Sequence, residues 1–157
     1  MANLTVTLTE SVTLNGSVRG STNQLTITGI EHVMERIVTI PASADATVLL
    51  TKDTVASSDS AIDIQDTKYI RVTNLDSTNS VTLSLQIDIN TNDSASDAST
   101  SILLEAGKTF MLGTPHEGIA ANSSTSAIQT TLHDLESILV DSGSTSGIQL
   151  EVFVAGA

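Results

Sequence analysis

Apolar and polar side chains alternate with a period of two along most of the chain, the signature of half-buried β-strands. Val81, Leu83, Leu85, Ile87 and Ile89 interleave with Thr82, Ser84, Gln86 and Asp88. Leu4, Val6 and Leu8 alternate with Thr5, Thr7 and Thr9, and Ile148, Leu150, Val152 and Val154 repeat the pattern near the far end. Leu25 with Ile27, Ile70 with Val72, and Phe110 with Leu112 are shorter instances. The runs Arg36-Ile37-Val38-Thr39-Ile40 and Thr47-Val48-Leu49-Leu50 are denser, which predicts strands covered on both faces.

Turn chemistry divides these runs. Asn15-Gly16, between Val12-Thr13-Leu14 and Val18, is a strong hairpin signal. Asn74-Leu75-Asp76-Ser77-Thr78-Asn79 joins two strands through side chains that favour turns. Glu105-Ala106-Gly107-Lys108 sits where a short hairpin would join Ile102-Leu103-Leu104 to Thr109-Phe110-Met111-Leu112. Residues 56–59, 90–100 and 114–126 are small, polar and aperiodic, which predicts exposed loops. Two segments fit either regular structure. A single helical turn at 31–35 competes with a strand through Val33 and Ile37. Leu132, Leu135, Ile138 and Leu139 fit a helical face, although Ile138-Leu139-Val140 reads better as the end of a strand. The pattern predicts an all-β fold: a single β-sandwich over residues 1–157, jelly-roll-like, with eight to ten strands and at most one or two helical turns.

Composition narrows the function. The chain has 23 threonines and 21 serines among 157 residues, which suits polar strand faces because threonine has high β-propensity. Hydrophobic residues make up 39% and mean hydropathy is +0.17, which argues against global disorder. Six basic residues against eighteen acidic ones give a net charge of −12, so neither nucleic acid nor an anionic membrane is an expected partner. One tyrosine, two phenylalanines and no tryptophan leave little for stacking on bases or sugars. No cysteine is present to form disulfides or thiolate metal sites. Neither a signal peptide nor a transmembrane segment is recognisable.

Candidate chemistry is sparse. His32, His116 and His133 each stand alone in the sequence, without metal-ligand spacing. His116-Glu117 follows Pro115 in an expected loop, where function often sits. A hydrolase assembled in space around the two is one reading. Asp88, Asn90 and Asn92 match the first three ligand positions of a calcium loop, but Asp93 stands where glycine is needed and Ser99 where a bidentate glutamate belongs. The expectation is no catalytic residue and no cofactor. The early strand containing Leu4, Val6 and Leu8 must pair with something. It either closes its own sheet or, as strand 3–9, adds to a neighbouring subunit.

In style, the chain resembles a virion structural protein of a tailed bacteriophage, especially the small β-sandwich decoration or cement proteins of capsids. The resemblance rests on the early strand, on Tyr69-Ile70-Arg71-Val72-Thr73-Asn74-Leu75 followed by Val81 to Ile89, and on Leu103-Leu104-Glu105-Ala106-Gly107-Lys108-Thr109-Phe110. No family-defining motif accompanies them. The resemblance implies a module on the capsid exterior, made in the host cytoplasm, commonly a homotrimer and otherwise a dimer. Its partner would be the major capsid protein, with Leu4, Val6, Leu8, His116 and Glu117 as interface candidates. A head–neck, tail or fibre component and a glycan-binding module are the competing readings.

Overall fold

The computed structural model describes residues 1–53, 61–89, 98–122 and 127–157. Twelve strands cover most of them: β1 (Ala2–Thr9), β2 (Val12–Leu14), β3 (Ser17–Arg19), β4 (Thr22–Ile30), β5 (His32–Ile40), β6 (Asp45–Leu50), β7 (Thr67–Asn74), β8 (Val81–Asp88), β9 (Ala98–Leu104), β10 (Thr109–Leu112), β11 (Asp134–Asp141) and β12 (Ile148–Gly156). Helix is absent among the described residues. The segments that fit either structure are strands: 31–35 runs into β5, and 134–141 is β11.

The last eight strands form a jelly roll. One sheet has the order β10-β7-β12-β5 and the other β6-β11-β8-β9. The winding follows from the antiparallel pairs β8·β9, β10·β7, β11·β6 and β12·β5. These pairs describe one long ribbon with its turn between β8 and β9. Rolling that ribbon on itself brings β7 against β12 and β8 against β11, which completes two four-stranded sheets.

Burial follows the alternation. Along β8, Val81, Leu83, Leu85 and Ile87 point into the sandwich, with Thr82, Ser84, Gln86 and Asp88 on the other face. On β12, Ile148, Leu150, Val152 and Val154 meet them from the opposite sheet, joined by Ile40, Val48, Leu49, Ile70, Val72, Leu135 and Ile138. Facing apolar surfaces of this kind supply the main driving force for the fold.

Several sequence expectations are corrected. Among the described residues the strands number twelve rather than eight to ten, because the residues before β5 form a separate ribbon. Residues 105–108 do not close a hairpin: β9 pairs with β8 and β10 with β7, so this turn carries the chain from one sheet to the other. The dense segments are not covered on both faces, since Ile37 is 61% exposed and Leu50 55%. Ile89 lies past the end of β8 and is exposed. Residues 98–100 of one expected loop belong to β9. Residues 114–119 of another are tied down: Pro115 is buried, Leu135 N–H donates to its carbonyl (3.0 Å), and Ile119 pairs with His133. The expected loop at 56–59 lies outside the described residues.

The first thirty residues make the second architectural unit, a two-stranded arm. β1 pairs with β4 from Ala2↔Ile30 to Thr9↔Thr22. Glu10 N–H donates to the Ser21 carbonyl at 2.9 Å, and β2 pairs with β3 up to Leu14↔Ser17. Asn15 and Gly16, with φ of +50° and +77°, close the tip as a type I′ turn requires. Midway, Gly20 (φ +131°) lies so close to the Glu10 backbone that a Cβ there would collide with the Glu10 carbonyl oxygen. At its base the arm rests on the outer face of the β10-β7-β12-β5 sheet, where Leu4, Val6, Ile27 and Ile30 pack with Tyr69, Phe153 and Ala155.

The corner from β7 to β8 also crosses between sheets. The Asp76 carboxylate accepts the N–H groups of Asn79 and Thr78, both at 2.8 Å, and the Thr78 hydroxyl at 3.1 Å. These bonds hold its pKa down to about 2, the Asn79 N–H being the largest cause and the Thr78 N–H the next. A depressed folded pKa stabilises the fold above the ordinary carboxylate range, and that contribution is lost as pH falls through about 2. Asp76→Ala is therefore expected to lower the thermal midpoint at neutral pH. The gap from the parent chain should close on acidification towards pH 2; a gap that does not change with pH would contradict this account of the corner.

Candidate functional site

A concave site lies at one end of the β6-β11-β8-β9 sheet. Antiparallel pairing of β8 and β11 sets Asp88 directly opposite Asp134. Like charges so placed repel, which makes the position costly unless neighbours compensate. The segment before β11 supplies that compensation to Asp134. Its Oδ1 accepts from His116 Nδ1 (2.9 Å) and from the Glu117 N–H. An ionised carboxylate can only accept, so the imidazole carries its proton on Nδ1 in this bond. Glu117 itself has a positive φ of +46°, the backbone cost of turning its N–H onto Asp134.

Around this contact is a cleft of about 120 Å³ whose wall includes Thr51, Asp53, Asp88, Glu117, His133 and Glu136. The chemistry it offers is limited. The Thr51 hydroxyl points to the carbonyl oxygens of Leu135 and Glu136, so its proton is committed to holding β6 beside β11. His116 Nδ1 is engaged by Asp134, one of the residues of the cleft wall. Among the described residues no group of three or more His, Asp or Glu side chains could hold a metal ion. Of the sequence-derived calcium candidates, Asp88 ends β8 and lines this cleft, whereas Asn90 and Asn92 lie outside the described residues.

The structure brings His116 and Glu117 together on Asp134, a partner eighteen residues away from His116 that sequence spacing did not indicate. His133 is placed beside the same cleft, while His32 is exposed at the start of β5, in the other sheet. The three aromatics are all engaged. Tyr69 and Phe153 meet edge to face, with ring centroids 6.1 Å apart, and Arg71 lies 5.7 Å over the Phe153 ring while pairing with Glu151 at 2.6 Å. Burial raises the Tyr69 pKa above its ordinary value, and the Arg71 charge opposes that shift. Phe110 is half-buried against the sandwich core. Tyr69 is buried, and Phe153 is half-buried like Phe110.

The interface candidates Leu4, Val6 and Leu8 share one face of β1. Leu4 and Val6 are half-buried at the base of the arm, and Leu8, further along, is 45% exposed. Leu25 on β4, on the same face as Val6, is 54% exposed. Towards the tip, Val12, Leu14 and Val18 are also exposed.

The molecule is thus an all-β protein of the jelly-roll sandwich class, carrying a two-stranded arm. Neither protein-family models nor curated proteins give a match to the chain. A solved structure with partial similarity is a chain of the Bacillus endospore appendages described as a novel family of disulfide-linked pili. The match spans 83% of this chain and 93% of that chain at 12% identity, with a TM-score of 0.38. Among the described residues, no helix is long and apolar enough to cross a membrane.

Proposed function

We propose that this chain is a non-enzymatic structural protein of a virus particle, a decoration or cement protein bound to the lattice of the major capsid protein. The observation that carries the reading is architectural: a complete jelly-roll sandwich from which a ribbon with exposed leucines and valines projects. Jelly rolls recur in capsid proteins and lectins, an analogy of fold that raises the prior for both. The engaged aromatics favour the first over the second. The acidic, hydroxyl-rich strand faces keep such a module soluble until it meets its lattice.

In this role affinity comes from surfaces rather than from a pocket. The His116–Asp134 bond is a fastening that fixes residues 114–119 against β11. Mass spectrometry of purified particles should find the chain at a near-stoichiometric ratio to the capsid subunit. Near-absence would overturn the proposal, and a few copies per particle would place the chain in the neck, tail or fibre instead.

A further inference from the structure

We propose that the arm formed by β1 to β4 docks, through its apolar face, on a second copy of this chain, against the outer face of β5. Three observations lead there. The first is surface area. The chain exposes 9385 Å², whereas a compact monomer of 16.3 kDa would expose about 7,500 Å². The surplus of roughly 1,900 Å² per chain exceeds the ~800 Å² that each partner contributes to a standard protein–protein interface, so there is area enough for one. An isolated two-stranded ribbon is at best marginally stable in water and gains stability when a further apolar surface covers it.

The second observation is charge. Residues 1–30 contain one acidic side chain, Glu10, and one basic, Arg19, so the whole net charge of −12 resides on the remaining residues. A basic partner would be drawn to the jelly roll and not to the arm. A neutral ribbon is the part of the molecule that can approach another acidic copy without repulsion.

The third is the match between the two surfaces. In each copy the arm's apolar face already sits, at its base, on the outer face of the β10-β7-β12-β5 sheet, with Leu4, Val6 and Ile27 against Tyr69, Phe153 and Ala155. The same outer face continues onto edge strand β5, where Val33 pairs with Ala155 and Ile37 with Glu151. There Val33 is 59% and Ile37 61% exposed. The outer part of the arm, with Leu8 and Leu25, carries the same kind of side chain and stays exposed among the described residues. One surface that seats an arm, beside an uncovered stretch of the same surface, fits a reciprocal exchange between copies.

The test uses the full chain in analytical ultracentrifugation over a dilution series. The parent chain should sediment as a multiple of 16.3 kDa. Leu25→Lys and Ile37→Asp each put a charge into the proposed contact and should weaken association roughly thirtyfold or more. Both positions are exposed in the single chain, so far-UV circular dichroism should be unchanged. Mixing the two variants places the introduced ammonium of one copy against the introduced carboxylate of the other. The mixture should regain association, which no folding defect could bring about. A monomeric parent chain, or association insensitive to both substitutions, would overturn the proposal. So would a failure of the mixture to reassociate. Because no particle enters the experiment, its result is independent of the capsid reading.

Discussion

Leu150→Ala is expected to cost about 3–4 kcal/mol of stability. Leu150 is fully buried on β12, an inner strand of its sheet flanked by β5 and β7. It stands beside Val38 on one side and Asn74 on the other, and both neighbouring strands are hydrogen-bonded to its own. A backbone paired on both sides cannot move in to fill the hole, so the cavity term adds to the lost transfer energy. At this chain length the loss corresponds to about 10 °C in thermal midpoint. The same change at Leu103, which is 63% exposed on edge strand β9, should stay within about 0.5 kcal/mol. Equal losses at the two positions in calorimetry would show that the sandwich does not pack as described.

Asn74→Asp should be the most informative polar substitution. Asn74 is fully buried where β7 ends and the chain turns towards the other sheet. Its Nδ2 group donates to the carbonyls of Asn79 (2.9 Å) and Leu104 (3.2 Å), while its Oδ1 accepts from Asp76 N–H (3.0 Å). One side chain thereby ties the end of β7, the start of the corner and the end of β9. Aspartate keeps the acceptor but turns both donated bonds into contacts between a carboxylate and carbonyl oxygens. Leaving those carbonyls unmet and burying a charge should cost about 2–4 kcal/mol at neutral pH. The new carboxyl would titrate above its unfolded value because burial disfavours the charged form. A raised folded pKa means that the variant is least impaired at low pH and loses stability as pH rises. Urea unfolding across that range checks the sign, and a deficit that grows on acidification would contradict it.

The legibility of the fold differed by element for physical reasons. β8 and β12 were readable because each has one face in the core and one outside it, so the chemistry alternates residue by residue. Asn15-Gly16 was readable because few residue pairs tolerate two positive φ values in succession. The turn at 105–108 misled because the same polar residues serve a hairpin and a crossing between sheets. What separates the two is which strand each neighbour pairs with, and that is decided far along the chain. Leu8 and Leu25 belong to the same period-two pattern as the core strands but are exposed: alternation shows that a face is apolar, not whether another sheet covers it. At the cleft, His116 and Glu117 were identifiable as loop residues of interest, but their common partner Asp134 lies on a strand that only the rolled ribbon brings near. The segment 31–35 had two readings, and pairing of β5 with β12 selected the strand by tertiary contact over local propensity.

Electron microscopy of the native particle would show whether this jelly roll is a component of a viral shell, as proposed. Additional density of the size of this chain is expected, repeated over the capsid surface where capsid subunits meet. Density confined to the neck, tail or fibres, or a capsid surface bare of any such density, would contradict it.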